Sequence, residues 1–119
     1  MRVLVADDSG VMRKMIIRSL EAIDITDIVE ACDGAEAFSI FQTDCFDLIL
    51  TDWNMPEKTG LELIQDVRGS GSDIPIIMIT TVEQRDAVAT AYEAGVNDFL
   101  TKPFTTDDLL AKIETHVSC

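Results

Sequence analysis

Asp7, Asp8, Asp52, Thr80 and Lys102 each stand just beyond an apolar run: VLVA before the aspartate pair, LILT before Asp52, IIMI before Thr80 and FLT before Lys102. A carboxylate at the end of a buried segment is costly unless something compensates it. Two carboxylates about 4 Å apart repel by on the order of 4 kcal/mol at an effective dielectric of about 20. If the aspartates converge, they take up protons or share a cation. Asp7, Asp8 and Asp52 sum to −3 and Lys102 returns +1, which leaves room for a divalent ion. Oxygen ligands without His or Cys favour Mg²⁺, with Mn²⁺ as the alternative. A cation, a lysine and a hydroxyl together form a set that binds a phosphoryl group. A carboxylate in such a set can itself attack phosphorus and become an acyl phosphate. The plainer alternative is that Asp8 and Asp52 merely cap the helices that follow them.

Convergence requires an architecture that gathers strand ends. Val3–Ala6, Leu48–Leu50 and Ile74–Ile79 have the near-continuous apolar character of strands covered on both faces, and Ile28–Ala31 and Phe99–Thr101 are weaker examples. Helical spacing separates them. Met12, Ile16, Leu20 and Ile23 form one stripe, and Ala35, Phe38 and Phe41 form a second behind an Asp33 cap with Glu36 three residues on. Leu61, Ile64 and Val67 form a third, ended by GSGS at Gly69–Ser72. Val88, Ala91 and Tyr92 form a fourth, ended by Gly95, and Leu109, Leu110, Ile113 and Val117 a fifth behind a Thr105–Asp108 capping pair. Five β–α alternations predict an α/β fold, a doubly wound five-stranded parallel sheet with five helices. Right-handed crossovers put every strand's carboxyl end on one edge, where such sheets bind ligands. The residues after the strands therefore meet there, with Thr81 beside Thr80 and only Cys32 and Asp33 from the second strand.

The 119 residues suit one domain, 1–119, with no internal linker or repeat. A hydrophobic share of 47% against 26% charged is that of a globular chain rather than a disordered one. Asp7 and Asp8 cut the first apolar run too early for a membrane span, and no signal-peptide pattern precedes them. Cys32, Cys45 and Cys119 have no CxxC spacing and read as reduced thiols, so the expected location is the cytoplasm, away from membranes. A net charge of −13 argues against direct nucleic-acid binding and for a cation or a basic partner surface.

VADDS, DWNMPEKTG, MITT and LTKPF, in this order and at these intervals, resemble the response-regulator receiver domains of two-component signalling, most of all the stand-alone chemotaxis regulators of the CheY type. The resemblance spans essentially the whole chain. It implies a flavodoxin-like (βα)5 fold with strand order 2-1-3-4-5. It implies Asp52 as phosphoacceptor, Asp8 as a direct Mg²⁺ ligand, Asp7 holding the ion mainly through water, and the backbone carbonyl of Asn54 completing the set. Thr80 becomes the switch hydroxyl, Phe99 the switch aromatic and Lys102 the phosphate-contacting lysine, with a cis bond at Pro103 as the structural element. The implied function is a phosphorylation-activated switch rather than an enzyme. A histidine kinase donates to Asp52, and the face of the fourth helix, fifth strand and fifth helix binds a downstream target. The unphosphorylated chain is expected to be a monomer.

The chain departs from the family pattern in places. Lys58 replaces an apolar residue, Phe99 has no hydroxyl with which to read out a hydrogen bond, and Val82 is apolar where polar residues are common. His116, the single histidine, reads as a surface residue, so the phosphodonor histidine belongs to a partner. Arg13, Lys14 and Arg18 read as a solvated face beside the site. Val11 and Met15 flank the core stripe of the first helix, where apolar surface has no core use; with Met12 they are expected to dock the kinase. The competing readings are a receiver cut from a longer regulator, a phosphatase working through an aspartyl phosphate, and a flavodoxin. Phosphatases of the haloacid dehalogenase type use D-x-D, but the second position here is Asn54, and 119 residues leave no cap domain. In a flavodoxin, Asp7 and Asp8 would repel the flavin phosphate.

Overall fold

The computed structural model describes residues 1–53, 55, 57–80, 88–102 and 104–117, with Val88 described by its backbone alone. Its elements follow in order β1 (Arg2–Ala6), α1 (Gly10–Glu21), β2 (Asp27–Ala31), α2 (Gly34–Thr43), β3 (Leu48–Asp52), α3 (Gly60–Gly69), β4 (Ile76–Thr80), α4 (Val88–Ala94), β5 (Asp98–Thr101) and α5 (Thr106–His116). The five strands form one parallel sheet in the order β2-β1-β3-β4-β5, as the resemblance implied.

Strand alternation sorts the core into two layers. Leu4, Ala6, Ile49, Ile76 and Met78 face Ala37 of α2, Leu63, Ile64 and Val67 of α3 and Ala91 of α4. Val3, Val5, Leu48, Leu50, Ile77 and Ile79 face Ile16 and Leu20 of α1 and Leu109 and Ile113 of α5. The three inner strands are buried on both faces, which accounts for their continuous apolar runs.

Several expectations are refined. β4 begins at Ile76, not Ile74, because Pro75 has no N–H to donate; its carbonyl still accepts from Ile49 N at 3.0 Å. β3 runs on to Asp52, which pairs with Ile79, so the carboxylate belongs to the sheet's last rung. In α2 the fully buried side chain is Ala37, whereas Ala35, Phe38 and Phe41 are half-buried around it. Tyr92, expected in the core, is 46% exposed, because the seven residues of α4 bury Ala91 and turn the next side chain outward. Asp33 and the Thr105–Asp108 box cap α2 and α5 as expected.

Candidate functional site

Chain alternation also orients the site. Asp7 continues the parity of Val3 and Val5, Asp52 that of Leu48 and Leu50, and Lys102 that of Leu100, so all three point to the α1/α5 side of the carboxyl edge. Lys102 Nζ lies 3.3 Å from Asp52 Oδ1 and 3.9 Å from Asp7 Oδ2. Asp8 completes the group: one carboxylate oxygen from each of Asp7, Asp8 and Asp52 lies within 4.8 Å of the others. Asp7 is buried, Asp52 nearly so and Asp8 exposed, which leaves the cluster one open side.

These aspartates are not helix caps. Ser9 caps α1, accepting from Met12 N at 3.3 Å, and a Thr59–Glu62 capping box starts α3. Asp7 Oδ1 accepts from Ser9 N at 2.9 Å, and Asp52 Oδ1 from Trp53 N at 2.8 Å. Gly60 lets α3 begin directly against β3, since a Cβ there would overlap the Asp52 backbone carbonyl; its N–H closes the loop onto Trp53 O at 2.8 Å.

Asp7 Oδ2 is buried and has no hydrogen-bond partner among the described residues; Lys102 reaches it only at ion-pair distance. Burial pushes the Asp7 pKa up, as do Asp52 and Asp8, against the Ser9 N–H and Lys102, which pull it down. An unsatisfied buried carboxylate oxygen beside two other carboxylates is a donor set suited to a hard divalent cation. Asp7, Asp8 and Asp52 would hold Mg²⁺ or Mn²⁺ there. Thr80 is also buried at this edge, at the end of β4. The Asn54 carbonyl, Thr81, Val82 and Pro103 lie outside the described residues.

Two expectations about the surroundings are corrected. Arg13 is not simply solvated: its Nη1 donates to the Asp7 carbonyl at 2.6 Å and its Nε pairs with Glu30 at 3.2 Å. It sits one turn beyond the Ser9 cap, and helical side chains lean toward the N-terminus, which is the signal that could have placed it. Lys14 and Arg18 are exposed, as expected. His116 is half-buried: its Nε2 is 2.8 Å from Asp98 Oδ2, while Lys112 Nζ donates to Asp98 Oδ1 at 3.0 Å. Lys58 is accommodated through its ammonium, which pairs with Asp66 and lies 5.6 Å from the Phe38 ring centroid.

The fold and this edge define a class, the flavodoxin-like α/β domain carrying an acidic, cation-compatible pocket at the carboxyl ends of its strands. The family model described as the response regulator receiver domain matches residues 3–114. The chain is 43% identical over 117 residues to chemotaxis protein CheY1 of Helicobacter pylori, covering 96% of this chain and 94% of that one. It is 39% identical over 116 residues to chemotaxis protein CheY of Pseudomonas aeruginosa, with coverage of 96% and 94%. The solved structure of chemotaxis protein CheY4 of Vibrio cholerae matches with a TM-score of 0.89 at 32% identity, over 98% of each chain. The chain belongs to the response regulator receiver domain family, and its relatives are CheY-like signalling regulators.

Proposed function

We propose that residues 1–119 act as one receiver domain, a cytoplasmic chemotaxis switch set by phosphorylation of Asp52. The observation that carries this reading is the Asp52 carboxylate on the last rung of β3, with Lys102 Nζ 3.3 Å away and the Asp7–Asp8 pair beside it. The Trp53 N–H and Lys102 both hold Asp52 Oδ1, and the Asp52 carboxylate is the attacking group. As the new O–P bond forms, the P–N bond to the partner kinase's phosphohistidine breaks and its electron pair returns to the imidazole. Lys102 draws the phosphoryl charge toward the pocket, and the Thr80 hydroxyl donates to a phosphoryl oxygen. Asp8, Asp52 and the Asn54 carbonyl, with Asp7 mainly through water, would hold Mg²⁺, which would supply the positive charge that lets an anionic phosphoryl group approach the carboxylates.

The kinase docks on α1. Val11 and Met15 are 73% and 51% exposed, and Met12 and Met15 line a cavity of about 380 Å³ whose wall also includes Arg18, Lys102 and Phe104. That cavity joins the docking face to the site lysine. Phosphorylation shifts an existing equilibrium in which Thr80 and Phe99 move together and the face of α4, β5 and α5 is repacked to bind a target protein. The unphosphorylated chain works as a monomer.

Acetyl phosphate with Mg²⁺ tests the chemistry. The wild type should gain one phosphoryl group by intact mass and change Trp53 fluorescence, whereas Asp52→Asn should do neither. Phosphorylation of Asp52→Asn at the wild-type rate would refute the assignment and leave a receiver-like binding module as the better reading.

A further inference from the structure

Tyr92 is an exposed aromatic in contact with the switch aromatic. Its ring meets that of Phe99 edge-on, with centroids 5.3 Å apart and planes at 64°. Phe99 is half-buried against the α3/α4-side core and lies on β5, an edge strand with β4 as its one neighbour. The β4–β5 register pairs Met78 with Phe99 and Thr80 with Thr101. Phe99 and Thr80 therefore share one face of the sheet on adjacent strands, two residues apart along it. Toward the carboxyl edge the Phe99 ring can turn to Thr80; in its present position it meets Tyr92.

Tyr92 is held in place by the end of α4. Gly95, at φ 113°, turns the chain with its N–H on Ala91 O and Tyr92 O, both at 3.1 Å. From α3, Arg68 grips the Gly95 carbonyl through Nε at 3.0 Å and Nη2 at 2.8 Å and reaches Asn97 Oδ1 at 2.9 Å. The end of α4 at Tyr92 is thus tied to α3 through Gly95, and a departing Phe99 ring loses the edge contact.

We infer that Tyr92 is a positioning residue that holds Phe99 in its resting orientation and so sets how strongly phosphorylation must act to turn the switch. The inference rests on the receiver reading above. An aromatic edge pair shifts a two-state equilibrium by about 2- to 12-fold. Coupling is reciprocal, so loss of the Tyr92 ring raises affinity for a phosphoryl mimic at Asp52 by up to the same factor.

The test is the affinity of beryllofluoride, a phosphoryl mimic, in Mg²⁺, read by Trp53 fluorescence. Tyr92→Ala should bind it about 2- to 12-fold tighter than wild type. Tyr92→Phe, which keeps the ring, should match wild type. In a Phe99→Ala background, Tyr92→Ala should change nothing further. Unchanged or weaker binding by Tyr92→Ala overturns the inference, as does an equal effect with and without Phe99, which would mark a general loosening of α4. If the wild type bound no beryllofluoride, the receiver reading itself would fail and take this inference with it. Tyr92 is about half exposed, so its truncation leaves the core intact.

Discussion

Replacing Lys102 with methionine keeps the length of the side chain and removes the charge that faces Asp52 at 3.3 Å and Asp7 at 3.9 Å. At an effective dielectric of about 20 these two attractions amount to about 5 and about 4 kcal/mol before desolvation of the lysine is subtracted. The groups are largely buried, with side-chain exposures of 19% for Lys102, 11% for Asp52 and 1% for Asp7, so solvent screens them only in part. Breaking a buried ion pair from one side costs about 3–5 kcal/mol, and the partial exposure of Lys102 places this site at the lower end. Lys102→Met should therefore unfold about 3 kcal/mol more easily in Mg²⁺-free buffer containing a chelator. Mg²⁺ should reverse much of that loss. It stabilises both folded proteins, so the gap narrows only by RT ln of the ratio of their affinities. The variant should bind the ion more tightly than wild type, because a competing positive charge has gone. Binding about 30-fold tighter would shrink the gap to about 1 kcal/mol at saturating Mg²⁺. Urea titrations followed by the single tryptophan, with and without Mg²⁺, measure both gaps. A gap of equal size in the two buffers would refute the reasoning, since it would mean that Lys102 does not compete with the ion for the carboxylates it faces.

Three further outcomes are expected. Met15→Lys should slow phosphotransfer from the cognate kinase at least several-fold and leave the acetyl phosphate rate unchanged; equal loss with both donors would make Met15 structural. Gly34→Ala should lower stability by about 1–3 kcal/mol, because a Cβ there would overlap the Lys58 carbonyl, and thermal melting reads this directly. Asp98 has a lowered pKa: burial alone would raise it, but hydrogen bonds from His116, the Phe99 N–H and Lys112 outweigh that. A depressed carboxylate contributes stability above its unfolded pKa of about 3.9 and loses it as pH falls through the folded value. Asp98→Asn should thus cost about 1–2 kcal/mol at neutral pH, with the difference from wild type closing below about pH 4, and a constant difference down to acid pH would show that ionisation of Asp98 is not what stabilises α5.

The parts legible in the sequence share one physical property: they are set by local rules or by topology. Asp33 and the Thr105–Asp108 pair cap their helices through contacts three residues long. Asp7, Asp52 and Lys102 meet because any right-handed β–α alternation delivers strand ends to a common edge, without knowledge of the strand order, which came from the resemblance alone. What stayed hidden depends on registers between distant elements. Arg68 binds Gly95 and Asn97 some 27 to 29 residues away, and His116 finds Asp98 across 18. Tyr92 failed for another reason. Val88, Ala91 and Tyr92 are too few for a stripe to define a face, so Ala91 and Tyr92 could not be told apart until the helix was placed.

The pleat of the sheet bears on how the switch is built. Asp7, Asp52 and Lys102 carry the parity of the α1/α5 side, whereas Phe99 packs on the other side with Met78, and Thr80 follows Met78 by two residues. A phosphoryl group on Asp52, as proposed, would thus sit on the face where the kinase is proposed to dock, and Thr80 and Phe99 stand on the face covered by α4. The two meet at the carboxyl edge, where the strands end. Signal transfer would then need no deformation of the buried strands, which are paired from the Ile49–Ile76 rung to the Ile79–Leu100 rung. It would need a hydroxyl on the last residue of β4 that can turn toward the added charge, and a ring two rungs behind it on β5 that can follow. Thr80 and Phe99 occupy those positions, and Tyr92 stands where the ring must leave.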